Sequence, residues 1–361
     1  MPALFEAVPN FSAGAEPGLL RALLGTDALD QHADQRHDRC VVTLVETDGA
    51  RLRAAMLERV AVACELIDIH SHRGLHPRLG AADVLPVVPL WGASMEEAES
   101  IARRLAEEIW ERHRVPVWFY GGLGGGRSLA DLRRAAVGPP FDVGDRPHPT
   151  AGACCVGARP PLVAYNLLLR RSRAEVSAML PRLRALPGVQ ALTFPFAAGT
   201  VQLSVNLTRP EAAGVADLTA AVASLLGERG EPELVGLCPA RAAGPGCDGG
   251  LLEARLISHA ATRLGARSRN AGDAERGEMG LRLERRAVEI AATPFTTEAM
   301  LGAAEEAIAF LRLLPTLAVD DEVSEACLRA GAEGLRRAIG DRAEVTYRER
   351  LRLLDHWLAV V

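Results

Sequence analysis

The sequence predicts an α/β (α+β) protein made of two α/β sandwich parts followed by a C-terminal helical bundle, and three observations carry that expectation. Strand-like and helix-like patterns alternate over the first 160 residues, residues 162–237 read β-α-β-β-α-β, and from Leu251 onward only helical periodicity remains. The expected divisions are 1–160, 161–239 and 240–361, and a chain of 361 residues is long enough for two or three cores.

Leu4 to Phe11 and Cys40 to Glu46 predict short strands. Between Arg51 and Asp68, apolar residues at Leu52, Met56, Val60, Ala63 and Ile67 keep the spacing of an amphipathic helix. Val84 to Leu90 is a nearly continuous apolar strand, which Pro86 and Pro89 predict to be irregular or near an edge. Ser94 with Glu97 forms a capping box for a helix that runs to about Arg112. Val115 to Tyr120 is a strand ended by the glycines of Gly121 to Gly126. These read as a turn, because their spacing does not fit the dinucleotide-binding GxGxxG pattern.

In the second part, Leu162–Leu169 is a strand, Ala174–Leu186 a helix kinked at Pro181, and Val189–Phe196 and Val201–Leu207 are strands. Helix Gly214–Leu226 and strand Glu233–Leu237 complete the ferredoxin-like order. The stretch Ala185 to Thr208 is uncharged and long enough to cross a bilayer. Its Pro187, Gly188, Pro195 and Gly199 suit two strands and a turn instead, so no membrane segment is expected. Beyond a small-residue linker at 240–250, helical periodicity breaks around 270–273, 293–295 and 315–321 and predicts a small bundle.

Composition narrows the function. Hydrophobic residues make up 48% and charged residues 24%, an ordinary globular balance. A net charge of −5 argues against binding to a nucleic-acid backbone. All 41 basic residues are arginine, which removes lysine Schiff-base chemistry and a lysine-bearing phosphate loop. The seven cysteines form no CxxC pair, and no secretion signal opens the chain, so the expected location is the cytoplasm.

Five of the nine histidines fall between His32 and His76. His70, His72 and His76 share the loop Asp68–Gly80 between a helix and a strand, where histidine can exchange a proton near neutral pH. Solvated or capping histidines explain the spacing as well. No spacing here is a strong metal signature, even with Asp68 or Asp34 added, so no metal is expected. The cluster Asp30 to Arg39, with His32, Asp34 and Asp38, reads by itself as a charged surface turn. Arg39 and Arg78 each suit a two-point clamp on a carboxylate. The proline- and glycine-rich segment Asp142 to Gly152 reads either as a cleft wall or as a linker between domains.

At these residues the chain resembles the glutamate formimidoyltransferase family. The matching motifs are Val8-Pro-Asn-Phe-Ser12, His37-Asp-Arg39, Arg73-Gly-Leu-His76-Pro-Arg78-Leu-Gly80-Ala-Ala-Asp83 and Pro147-His-Pro-Thr-Ala-Gly-Ala153. Val156-Gly-Ala-Arg159, Ala164-Tyr-Asn166, Val201-Gln-Leu-Ser-Val-Asn-Leu207 and Glu233-Leu-Val-Gly-Leu237 continue them. The resemblance implies a folate tunnel between two α/β subdomains and a homodimer. It also implies transfer of a formimino group from N-formimino-glutamate to N5 of tetrahydrofolate as co-substrate. On that reading His76 is general base and then general acid, with Asp30, His32 and Asp38 orienting it or stabilising the amidinium. Arg39, Arg78, Gly80 and Asp83 become substrate contacts, and Gly144, Asp145, Arg146, Pro147, His148, Pro149, Thr150 and Gly152 become the folate-binding segment.

Ala13 and Ala15 replace a glutamate and an arginine of the family pattern, Asp38 replaces an asparagine, and the connection before the folate segment is short. A different amine or amino acid in a formimidoyl or formyl transfer is therefore an alternative. A folate-binding protein without turnover is another. The tail resembles a reduced cyclodeaminase, the all-helical domain of bifunctional relatives. Its shortness predicts an inactive part serving assembly, with the apolar side at Val288, Met300, Ala304, Ile308 and Leu311 packed on the transferase or on a second copy.

Overall fold

A computed structural model describes residues 3–75, 77–134, 140–270, 274–317, 321–340 and 345–360. The chain forms two compact units, Met1–Pro160 and Pro161–Val361.

In the first unit, β1 (Phe5–Ala7) and β2 (Asn10–Phe11) share one lane of a seven-stranded sheet, lying antiparallel between β4 (Arg39–Glu46) and β5 (Ala82–Pro89). β3 (Asp30–Asp34) pairs with the outer side of β4. Beyond β5 the sheet turns parallel through β7 (Cys154–Ala158) to β6 (Val117–Phe119). Strand alternation sends Phe5, Ala7, Phe11, Val42, Leu44, Leu85 and Val87 into a core with α2 (Gly49–Leu66) and α3 (Met95–His113). The same alternation sends Glu6, Asn10 and Arg39 to the opposite face. Asp48 caps α2, and the capping box of Ser94 and Glu97 starts α3 as the sequence predicts. Two short helices, α1 (Pro17–Leu24) and α4 (Leu129–Arg134), complete the unit.

Two local expectations need correction. β5 is a central strand rather than an edge, while its expected irregularity is present as the bulge at Asp83 opposite Asn10 and Phe11. The Pro86 carbonyl accepts from Val8 N–H at 3.3 Å, so its missing N–H faces the break between β1 and β2 and costs the ladder no bond. Asp30–Asp34 is a strand, not part of a surface turn; only residues 35–38 turn. Charged side chains suit an unpaired edge and hide the apolar alternation by which strands are recognised.

In the second unit, β8 (Val163–Leu169), α5 (Arg173–Leu183), β9 (Val189–Ala197), β10 (Thr200–Leu207), α6 (Val215–Leu226) and β11 (Glu231–Val235) follow the predicted order. Their antiparallel sheet runs β11-β8-β10-β9, the ferredoxin-like arrangement. The tail belongs to this unit. The Tyr165 hydroxyl donates to the Pro245 carbonyl at 2.7 Å, and Ala240 N–H donates to the Glu253 carboxylate at 2.8 Å.

The tail helices are α7 (Leu252–Arg269), α8 (Ala274–Ala291), α9 (Thr297–Leu317), α10 (Glu322–Gly340) and α11 (Arg348–Val360). Helix α10 seats on α7 at Gly334, where a Cβ would lie 2.5 Å from Glu253 Cγ. Met300, Ala304, Ile308 and Leu311 are buried on α9, which packs against α7, α10 and α11, whereas Val288 is exposed. Among the described residues no helix is long and apolar enough to cross a membrane.

Candidate active site

The turn joining β3 to β4 holds the histidine loop. Asp38 lies there at φ +46°, a left-handed conformation that aspartate tolerates better than most residues. Its Oδ1 accepts the Gly14 N–H at 2.7 Å, and its Oδ2 lies 3.3 Å from His72 Nε2. His72 is buried and tied at both nitrogens. Gly74 N–H donates to Nδ1 at 3.1 Å, so Nε2 carries the proton it donates to the Asp38 carbonyl at 2.7 Å. Arg78 donates to the carbonyls of Gly74 and His72 at 3.2 and 3.0 Å.

On the far side of the loop, Leu79 N–H donates to Asp83 at 2.7 Å and the Ser12 hydroxyl to the Gly80 carbonyl at 2.8 Å. A Cβ at Gly80 would lie 2.1 Å from the Ala153 carbonyl, so only glycine allows this approach. The segment is therefore braced on both sides of position 76. His76 itself lies outside the described residues.

A partly buried charged row runs beside this loop. The Arg39 guanidinium donates to Asn10 Oδ1, and Asn10 Nδ2 donates to the Val8 carbonyl at 2.7 Å. Asp83, almost fully buried, pairs with Arg133. The register shift opposite Asn10 and Phe11 makes Asp83 the extra residue of a bulge, which turns it toward the Arg39 face. Burial pulls Arg39 down to about 10, while Asp83 favours its charged form. Two guanidiniums, Arg39 and Arg133, thus flank the Asp83 carboxylate, and the Asp34 carboxylate also acts on Arg39.

The second loop adjoins the first. His70 Nε2 lies 2.9 Å from the Pro149 carbonyl, and Ile69 N–H donates to the Thr150 carbonyl at 3.0 Å. His148 and Gly152 exchange two backbone bonds of 2.7 and 3.1 Å, and His148 Nδ1 accepts from Ala151 N–H at 3.0 Å. Gly152, at φ +70°, lies where a Cβ would meet the Leu79 carbonyl at 2.6 Å. Gly144 turns against Trp110, while Asp145, Arg146, Pro147, Pro149 and Thr150 are exposed. Asp30 and His32 lie farther along β3, opposite Thr43 and Val41, and it is Asp38 that meets the His72 ring.

Residues 4–159 match the family model described as the formiminotransferase domain, N-terminal subdomain. A glutamate formimidoyltransferase of Thermoplasma acidophilum is 34% identical over 233 residues, 57% of this chain and 77% of the relative. The chain belongs to the glutamate formimidoyltransferase family. A glutamate formimidoyltransferase of Streptococcus pyogenes is 34% identical over 198 residues, 49% of this chain and 66% of the relative. The chicken formimidoyltransferase-cyclodeaminase is 35% identical over 195 residues, 47% of this chain and 35% of that longer protein.

Two features of this candidate site escape the sequence pattern. Arg133, the partner of Asp83, lies 50 positions away on α4. Glu6 alternates with Phe5 and Ala7 like any outward-facing strand residue, yet it is buried, and burial lifts its carboxyl to about 7. At the family's glutamate position, Ala13 packs into the core of the first unit. Among the described residues no three His, Cys, Asp or Glu side chains gather as a metal site.

Proposed function

We propose that this protein moves the formimino group of N-formimino-glutamate to N5 of tetrahydrofolate, with His76 as the proton-transfer group. The observation that carries the reading is the double bracing of residues 72–80. His72, Gly74 and Arg78 fix one side of position 76, and Asp83 and Ser12 fix the other. A general acid–base needs such a support, because its reach must match the attacking and leaving nitrogens within a few tenths of an ångström. On this reading His76 takes the proton from the attacking nitrogen and returns it to the departing amine.

In the row Arg39–Asn10–Asp83–Arg133, the guanidinium N–H groups are the candidate donors to the carboxylates of the amino-acid donor. Arg78 serves the loop backbone. The exposed edge Asp145 to Thr150 is the folate-side wall, positioned by the contacts of His70 and Thr150. Asp30 and His32 act at longer range, through the field at the edge strand. The tail is read as an inactive, reduced cyclodeaminase that serves assembly of a cytoplasmic homodimer. The seven free thiols fit a reducing compartment.

The test incubates the full-length protein with N-formimino-L-glutamate and tetrahydrofolate and follows formation of 5-formimino-tetrahydrofolate after acid conversion to its methenyl form. Saturable, folate-dependent product is expected. Binding of tetrahydrofolate without product would favour a folate-binding protein, and product only from another amidine would reassign the donor.

A further inference from the structure

Glu6 lies in the middle of β1, between Val45 of β4 and Val88 of β5, on the sheet face opposite the α2–α3 core. It is 7% exposed. Among the described residues its carboxylate has no hydrogen-bond donor and no ion pair, although Asn10 and Arg39 share its face. The charged and titratable groups that face it are few. Arg159, just past β7, is close enough to be felt, and it acts on the Tyr120 hydroxyl as well. The Arg159 guanidinium donates to the Pro160 carbonyl at 3.1 Å rather than to Glu6. Val45 and Val88 are apolar.

A desolvated carboxylate in this position is costly unless a cation arrives with hydrogen bonds of its own. The best complement to its two oxygens is a flat cation with two N–H groups along one edge. We propose that Glu6 is the binding group for the amidinium of the formimino donor, receiving its paired N–H groups on the face of the first sheet opposite the α2–α3 core. This rests on the formimidoyltransferase reading given above, and it names the group that would distinguish a formimino donor from an uncharged formyl compound.

The assignment has a thermodynamic signature. Before binding, burial keeps the Glu6 carboxyl protonated up to about pH 7, with Arg159 opposing. The amidine is already a cation at neutral pH. Forming the charged pair therefore expels the Glu6 proton to the buffer, close to one per site at about pH 6 and close to none at about pH 8.5.

Calorimetry of the full-length protein in two buffers of different ionisation enthalpy reads this release directly. N-formimino-L-glutamate should show it and N-formyl-L-glutamate should not. Glu6→Gln should abolish it and weaken the formimino compound by about 10- to 100-fold, leaving tetrahydrofolate affinity unchanged. Wild-type protein that turns over the formimino donor without releasing a proton, or a folded Glu6→Gln that binds it as wild type does, would overturn the role of Glu6 alone. Wild-type protein that binds neither compound would overturn both readings. The wild-type comparison decides the question even should the variant not fold.

Discussion

Removing the Asp38 side chain asks whether the histidine loop hangs from the β3–β4 turn. In Asp38→Ala the Gly14 N–H loses its acceptor at 2.7 Å, and an unpaired buried donor costs about 1–3 kcal/mol. Alanine at φ +46° adds about 1 kcal/mol, because it lacks the tolerance of Asp and Asn for the left-handed region. His72 keeps its 2.7 Å bond to the residue-38 carbonyl, so that contact contributes little to the loss. The sum is about 3 kcal/mol, or about 6–12 °C in Tm for a unit of this size. Asp38→Asn retains both an oxygen for Gly14 and the left-handed preference, and should lose no more than about 1 kcal/mol. Urea unfolding followed by the fluorescence of Trp91, Trp110 and Trp118 gives the order wild type, Asn, Ala, and kcat should follow the same order. An alanine variant as stable as the asparagine variant would refute the argument, since it would mean that neither the Gly14 bond nor the backbone conformation matters.

Three further outcomes are expected. His76→Ala should lower kcat on the order of 10²–10⁴-fold with Tm within about 2 °C of wild type, because the loop is held by its neighbours; wild-type turnover would remove the histidine from the mechanism. Burial lifts Glu253 from 4.5 to about 7, so between those values the folded state keeps a proton that the unfolded chain has lost and stability falls as pH rises; Glu253→Gln should gain on the order of 3 kcal/mol over wild type at pH 8 and little at pH 4, read from urea midpoints across that range. A chain ending at Ala243 takes the acceptors from the Tyr165 hydroxyl and the Ala240 N–H, so its second unit should melt earlier by calorimetry, while the full-length protein should release no ammonia from 5-formimino-tetrahydrofolate.

Most of the framework was legible because it is written in apolar periodicity. The order β8-α5-β9-β10-α6-β11 follows from alternating and three-to-four patterns alone, and the tail breaks fall where Gly, Pro and polar residues interrupt the helical stripe. What escaped has a physical reason in each case. The edge strand Asp30–Asp34 carries charge where alternation is sought, and Pro86 signals an edge unless one knows that the neighbouring lane breaks at Val8-Pro9. In the candidate site, histidine density singles out one loop but cannot rank its members. Only folding shows that His72 is tied at both nitrogens and acts as a brace. The same holds for Glu6 and Arg133. A polar residue at an alternate strand position looks solvated, and an arginine on a short helix looks ordinary, until the sheet brings an unpaired carboxylate and an Asp83 partner beneath them. Residues with chemistry at stake are therefore those whose local pattern predicts water and whose tertiary surroundings withhold it. On that criterion Glu6 stands out among the carboxylates of the first unit: burial lifts it, no hydrogen bond holds its charge, and it faces away from the core that the rest of its strand serves.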